Sequence, residues 1–182
     1  MARLPYPDPA ALPEETQRLL HQLPVELNIF RMMANAPTCF RPLVTLGTAI
    51  LSQQKLSPKL RELAILRVAS LSSAKYEWVQ HVPIAEAVGA TRAQIEALER
   101  GSLESDAFDD LERLVLRFTT ELVQEVRVPD PTFAEAASRL SPQEIVELIL
   151  AVGYYMLIAR LLETTDVDLD EAKGVTIFKA LR

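Results

Sequence analysis

The stretch from Leu56 to His81, LSPKLRELAILRVASLSSAKYEWVQH, decides the fold of this chain. Ser57 and Pro58 are residue types that favour the N-cap and the first turn of a helix, so a helix is predicted to begin there. Apolar residues recur along it at helical spacing, and the carboxylate of Glu62 lies beside this inner face. The pair Ser72-Ser73 breaks the helix, and so short a connection favours antiparallel packing of the helix that follows.

The second helix is predicted from about Lys75 to Val88, ending before Gly89. Glu77 and His81 are four residues apart and are therefore neighbours on one helix face. Ala85 continues the same stripe, which indicates that this face turns toward the protein interior.

The composition favours helices over sheets. The chain has 182 residues, long enough to bury a core, and we predict a single domain spanning residues 1–182. Glycines and aromatic residues are few, whereas Ala, Leu and Glu are common. No run of alternating polar and apolar residues is long enough for a sheet, so the predicted fold class is all-α.

Charge and cysteine content restrict the partners and the compartment. A net charge of −6 argues against nucleic-acid binding, which needs clustered Lys and Arg. No apolar run of about 18 residues is free of charge, so we expect no membrane span, and the proline-rich, acidic N-terminus does not resemble a signal peptide. The single cysteine, Cys39, favours a reducing cytoplasm, and we interpret it as a buried structural thiol.

Further helices surround the central pair. Four prolines indicate an extended N-terminal arm over residues 1–12. The segment LSPQEIVELIL at residues 140–150 echoes LSPKLRELAIL at residues 56–66, which hints at two similar helical units packed together. After Thr165 we predict a polar segment and a short tail. The remaining helices are predicted at 14–23, on either side of a break at 35–37, after Thr91, and at 109–126, 129–140 and 142–165.

His81 and two glutamates form a candidate proton-transfer set. A carboxylate can orient the imidazole while the histidine moves a proton near neutral pH. Glu77 is brought beside His81 by helix geometry, Glu62 by antiparallel packing, and Tyr76 adds a hydroxyl that could hold a substrate oxygen. The alternative is a buried polar network that only satisfies itself. No HExxH motif, phosphate loop or nucleophile elbow is present, so we expect no metal and no cofactor.

These residues resemble the core of the carboxymuconolactone decarboxylase and alkylhydroperoxidase D superfamily. That core reads L-S-P-x-x-R-E-L and, after a helix, C-x-Y-C-x-x-x-H. Residues 56–63 match the first part, and residues 74–81 match the second with Tyr76 and His81 in place. The likeness is centred on a core motif at 56–89 and extends less sharply to NIFRMMANAP and VELILAVGYYMLIAR. It implies a multi-helix orthogonal bundle.

The two cysteine positions of that motif are Ala74 and Glu77 in this chain. The peroxidase branch of the superfamily uses those cysteines as its redox centre, so hydroperoxide reduction is disfavoured. The resemblance instead implies a cofactor-free decarboxylase-like lyase acting on a small carboxylate or lactone acid, with His81 as general acid and Glu62 or Glu77 setting its charge. A non-catalytic oligomeric or ligand-binding member of the fold is the alternative. The family likeness also implies a homo-oligomer, as a dimer, trimer or hexamer.

Overall fold

The structure, a computed structural model, describes residues 1–181 and contains no β-strand within them. The all-α prediction is confirmed. Within the described residues ten α-helices follow one another: α1 Glu14–Gln22, α2 Asn28–Met33, α3 Pro37–Gln53, α4 Pro58–Leu71, α5 Lys75–Ala87, α6 Arg92–Glu99, α7 Asp110–Glu125, α8 Asp130–Arg139, α9 Pro142–Thr165 and α10 Gly174–Ala180.

Local sequence signals fix most helix starts. Thr91, Asp109 and Ser141 each accept a hydrogen bond from the backbone N–H three residues on, whose own side chain completes a capping box. Ser57 occupies the N-cap position of α4, although its side chain makes no capping bond there. Pro58 at the first turn therefore carries the start signal for that helix.

Helix α4 is the centre of the bundle. It packs against α5, α6, α7 and α9, and every residue from Leu60 to Ala69 is buried. A helix buried on all sides has little amphipathic contrast, and this explains why Arg61 and Glu62 lie inside the protein. The helix whose opening echoes α4, namely α9, is one of its direct packing partners.

By length and hydropathy, α9 would qualify as a membrane-spanning helix. The core helix of a soluble bundle passes the same test, and α9 contacts α3, α4, α7 and α8. Its buried side includes Leu148, Val152, Tyr155 and Leu162.

The N-terminal segment lies against the C-terminal end of α9, and the segment after Thr165 reaches α5. Residues 1–12 have no regular structure except a 3-10 turn at Pro9–Ala11, and Arg3 N donates to Thr165 O (2.8 Å). The segment after Thr165, predicted as a tail, forms helix α10, which packs against α5 and buries Phe178.

Candidate functional site

The site begins at the turn between α4 and α5. Ser73 has a φ of 52°, in the left-handed region that few non-glycine residues adopt, and it reverses the chain within three residues. Ala74 N donates to Ala69 O (2.9 Å) at this turn, while Glu62 meets His81 farther along the same two helices. The helices are thus antiparallel, as the short connection predicts.

Glu62 and His81 form a buried hydrogen-bonded pair. His81 Nδ1 lies 2.8 Å from Glu62 Oε2, and the two residues are 7% and 0% exposed. Glu62 Oε1 also accepts from Arg61 Nε at 3.2 Å, so Glu62 serves as the acceptor and Nδ1 carries the proton. The Tyr155 ring meets the imidazole edge to face, with centroids 4.7 Å apart. This arrangement leaves Nε2 as the nitrogen that can exchange a proton with a bound molecule.

Arg61 supports the pair from behind. Its side chain is 1% exposed, and its guanidinium is 5.9 Å from the centre of the Phe178 ring. Arg61 Nη2 has no hydrogen-bond partner within residues 1–181. The guanidinium of Arg61 donates a second hydrogen bond to Glu62 and so helps to hold the carboxylate in place as an acceptor for His81.

Glu77 is equally buried but unpaired. It is 2% exposed, and neither carboxyl oxygen has a hydrogen-bond partner within the described residues. Burial, and to a lesser extent the charge of Glu163, raise the pKa of Glu77 well above its ordinary value. Helix geometry places Glu77 one turn from His81, but Glu62 alone orients the imidazole.

The Tyr76 hydroxyl is already engaged. It donates to Asp170 Oδ2 and accepts from Ile29 N at 3.4 Å. Burial and the hydrogen bond to Asp170 raise the pKa of Tyr76. Asp170 also accepts from Asn28 N (2.7 Å) and Asn28 Nδ2 (2.9 Å). Tyr76 therefore anchors the C-terminal segment to α2 and α5, whereas the sequence suggested a substrate contact.

Gln80 completes this anchor on the next turn of α5. Its Oε1 accepts from the backbone N–H groups of Lys173 and Gly174, both at 2.9 Å, and its Nε2 donates to Glu171 O (2.8 Å). A Cβ on Gly174 would lie 2.2 Å from Gln80 O, so a residue without a side chain is needed at the start of α10. Helix α10 is in this way held close over the site.

A mostly apolar cavity of about 130 Å³ opens beside His81 and Glu77. Helices α2, α3, α5, α9 and α10 and the segment after α1 contribute to its wall. The apolar part of the wall comes mainly from Leu27, Ile29, Phe30, Met33, Val44, Leu51, Ile84, Ile158, Leu162 and Ile177. An engineered cavity of roughly this size in another protein, about 150 Å³, holds one benzene molecule.

Cys39 lies outside this site, and the prediction of a buried thiol is wrong. Its side chain is exposed on the first turn of α3 and is absent from the cavity wall. Only Phe40, Gly47 and Ile50 of α3 are fully buried. Cys39, the third residue of the helix, therefore lies on the side that faces solvent. Across residues 1–181, no group of three His, Cys, Asp or Glu side chains is placed to hold a metal ion.

Three contributors to the site lack a signal in the sequence. Asp170 is 94 residues from Tyr76, and Tyr155 is 74 positions from His81, so neither contact follows from local spacing. Gln80 precedes His81 directly, but a helical glutamine beside a histidine has no distinctive pattern.

The family model of the carboxymuconolactone decarboxylase family matches residues 37–121. These residues include all of α3 to α6 and the whole of the Glu62–His81 pair. The structure also matches alkylhydroperoxidase D-like proteins over nearly its full length. Residues 37–121 of the chain thus match the carboxymuconolactone decarboxylase family, and the overall fold is that of alkylhydroperoxidase D-like proteins. The resemblance drawn from its sequence is confirmed.

Solved structures that share this fold differ widely from the chain in sequence. An uncharacterised peroxidase-related protein from Ralstonia eutropha JMP134, described as an alkylhydroperoxidase D core, has a TM-score of 0.79 and 18% identity, covering 97% of this chain and 94% of its own. A peroxidase-related protein from Silicibacter sp. TM1040 has a TM-score of 0.78 and 17% identity, covering 93% and 92%.

A third structure of this fold contains a small ligand. It is a debrominase variant in complex with 2,3,4-tribromopyrrole, with a TM-score of 0.71 and 18% identity, covering 93% of this chain and 90% of that one. At these identities the likeness shows the fold and carries no activity with it. No functionally curated protein matches the sequence.

Proposed function

We propose that this protein is a cofactor-free acid–base enzyme, a decarboxylase-like lyase that acts on a small lactone acid in the cavity beside His81. One observation carries the proposal: a single imidazole, fixed at Nδ1 by buried Glu62, lines an otherwise mostly apolar cavity. A histidine held in one orientation by a carboxylate is suited to deliver a proton to a bound molecule.

The proposed step is the replacement of a carboxylate by a proton. The bond between the substrate carbon and its carboxylate breaks, carbon dioxide leaves, and the electron pair stays on the carbon. His81 then gives its Nε2 proton to that carbon and is reprotonated from solvent. An apolar wall favours loss of a carboxylate, since the negative charge spreads over the substrate as the bond breaks. The family is named for the decarboxylation of carboxymuconolactone, a lactone acid, and this supports the choice of reaction.

The test is turnover of carboxymuconolactone in D₂O, followed by carbon dioxide release and by deuterium in the product. We expect one deuterium per carbon dioxide, a loss of about 10²- to 10⁴-fold in His81→Ala, and a loss of roughly 10- to 100-fold in Glu62→Gln. His21→Ala, which changes an exposed histidine, is the control. Unchanged turnover in His81→Ala, or no turnover of lactone acids by the wild type, would contradict the proposal.

A second candidate is a ligand-binding protein without catalysis. The low exposure of Glu62, Glu77 and His81 favours it, because a sealed polar cluster needs no reactive role. Binding of a lactone acid with no turnover, and with equal affinity in wild type and His81→Ala, would select this function over the lyase.

Hydroperoxide reduction is disfavoured by the residues at the site. Ala74 and Glu77 stand where the peroxidase branch has cysteines, and Cys39 is exposed away from the cavity. We expect no thiol-dependent reduction of an alkyl hydroperoxide, and a rate that is lost in Cys39→Ser would contradict this.

We also propose that the protein works in the cytoplasm as a homo-oligomer joined through α9. The outer side of this helix exposes Val146, Ile149, Leu150 and Leu157 at helical spacing, and such a row favours contact with a second copy of the chain. Light scattering after size-exclusion chromatography tests this, with Leu150→Glu expected to shift the mass to that of one chain.

A further inference from the structure

The unpaired carboxyl of Glu77 suggests what the cavity holds. Buried polar groups in folded proteins almost always have a hydrogen-bond partner, and an exception in a cavity wall indicates that a ligand supplies one. Glu77 has two such oxygens, is 2% exposed and lines the cavity together with His81.

Three other polar side chains in the wall are already engaged within the protein. The Tyr76 hydroxyl donates to Asp170, the Tyr154 hydroxyl donates to Leu43 O (3.1 Å), and the Gln80 amide binds backbone groups at the start of α10. A ligand in the cavity therefore meets Glu77, His81 and the hydroxyls of Thr48 and Tyr155 as its polar contacts, and of these residues Glu77 has the buried oxygens without a partner.

The charge around Glu77 decides which hydrogen bonds it can offer. Among residues 1–181, the cavity wall contains no Lys or Arg, while burial and the negative charge of Glu163 both disfavour the ionised carboxylate. A neutral carboxylic acid has one O–H donor and one carbonyl acceptor. It can therefore donate a hydrogen bond to an uncharged oxygen of a ligand, which a carboxylate cannot do.

We propose that Glu77 is the anchor for a carbonyl oxygen of the substrate, and that the cavity selects single-ring ketones or lactones over amines. The inference rests on the proposed function in one respect, which is that His81 acts on the same bound molecule. Glu77 donates to the carbonyl oxygen while His81, one turn along α5, faces the carbon that receives the proton. When carbon dioxide leaves, negative charge moves onto that oxygen, and the Glu77 O–H bond strengthens as the charge develops.

The cavity size supports this ligand class. A cavity of about 130 Å³ is close in size to the cavity of about 150 Å³ that holds one benzene molecule, which suits a ligand with a single ring. The ring would contact the apolar wall, and its oxygen would take the position beside Glu77.

The test compares three ligands that share one ring: cyclohexanone, cyclohexylamine and cyclohexane. Their affinities are measured by NMR titration for the wild type, Glu77→Gln and Glu77→Leu, after circular dichroism has shown that each variant is folded. We expect Glu77→Leu to bind cyclohexanone about five- to tenfold more weakly and cyclohexane no more weakly than the wild type, because one hydrogen bond is lost. Glu77→Gln retains an N–H donor and should stay within about threefold of the wild type.

The pH dependence separates a carbonyl ligand from a cationic one. Affinity of the wild type for cyclohexanone should fall as pH rises and Glu77 ionises, because a carboxylate cannot donate, whereas Glu77→Gln should show no such fall. Tighter binding of cyclohexylamine that increases with pH would overturn the proposal. So would unchanged cyclohexanone binding in Glu77→Leu, or no binding of the three ligands by the wild type.

Failure of the Glu77 anchor can be distinguished from failure of the proposed decarboxylation. His81→Ala should lose decarboxylation but keep the dependence of cyclohexanone binding on Glu77, seen as weaker binding by the double variant with Glu77→Leu than by His81→Ala alone. Glu77-dependent ketone binding without turnover would refute the lyase and retain the anchor. Turnover together with ketone binding that ignores Glu77 would refute the anchor and retain the lyase.

Discussion

Glu62 and Glu77 are two glutamates on facing helices, equally hidden from solvent, with opposite surroundings. Glu62 accepts from Arg61 at 3.2 Å and pairs with His81 at 2.8 Å. Glu77 has no partner for either oxygen within the described residues. The first carboxylate belongs to a network that the protein completes by itself, and the second lines a space that the protein leaves open.

This difference separates two uses of a buried charge. A carboxylate with a cation and a donor beside it is stabilised in its charged form and can orient a histidine. A carboxyl without either is costly to the fold and favours its neutral form. Unsatisfied groups of this kind persist at functional sites, where stability is lower than the fold would otherwise allow.

Removing Glu62 should have the largest effect on stability. Glu62→Gln leaves Arg61 buried without a counter-charge, and we expect the free energy of unfolding to fall by about 3–5 kcal/mol. Urea denaturation measures this, with Glu86→Gln on the exposed side of α5 as the matched control. A loss no larger than that of the control would show that Glu62 is no better stabilised than a surface carboxylate.

Displacing α10 from α5 should expose the cavity in which Glu77 is buried and should destabilise the fold. In Gly174→Ala the new Cβ meets Gln80 O, and the strain should cost about 1–3 kcal/mol of folding stability. Gly153→Ala in α9 is the control, since its Cβ meets nothing within 4 Å, and it should stabilise by about 0.5–1 kcal/mol. Equal melting temperatures for the two variants would contradict the close contact between α10 and α5.

Replacing Glu77 by glutamine should change the free energy of unfolding in the opposite direction from replacing Glu62 by glutamine. Glu77→Gln is expected to raise stability at pH 7 by about 1–3 kcal/mol, because the amide, unlike the carboxyl, takes up no proton when the chain folds. Native Glu77 keeps its proton at pH values where the unfolded chain, with an ordinary value of 4.5, has lost it. The native state then binds more protons, so wild-type stability should decrease as pH rises from about 4.5 through the native pKa.

The variant should lack that part of the pH dependence. Urea titrations at pH 4, 5.5, 7 and 8.5 for both proteins measure it as a difference between two curves. Parallel curves would mean that Glu77 titrates alike in the folded and unfolded chains, and the contrast with Glu62 would then vanish.

The smallest effect concerns the bond that holds the C-terminal segment. Tyr76→Phe removes the hydrogen bond to Asp170 and should cost about 1 kcal/mol, since Asp170 keeps its bonds from Asn28. Hydrogen exchange of the amides of Gly174–Ala180 should become faster. Tyr6→Phe, which loses a similar bond to Asp168 outside the cavity, should leave these amides unchanged.

The parts of the fold with local signals were predictable. The helix starts after Thr91 and Ser141 follow capping rules, Pro58 marks the first turn of α4, and the predicted helix ends agree with the structure within one or two residues. The meeting of Glu62 with His81 could also be anticipated, because a three-residue turn leaves two helices little choice but to pack antiparallel.

The parts that depend on distant segments were not predictable. A polar stretch such as DVDLDEAKG has no periodicity, so neither the contact of Asp170 with Tyr76 nor the placement of α10 over the cavity could be inferred. Cys39 was misplaced for a related reason: its exposure depends on which side of α3 the other helices cover.

The sequence by itself determined an all-helical chain, the antiparallel α4–α5 pair and the resemblance to the superfamily, because caps, apolar spacing and the 56–81 motif act over short distances. Only the tertiary structure decided which glutamate serves His81 and which faces an open cavity. Glu62 and Glu77 are the same residue type on neighbouring helices, and their roles differ because packing of the helices brings His81 to Glu62 but brings no hydrogen-bond donor from the described residues to Glu77.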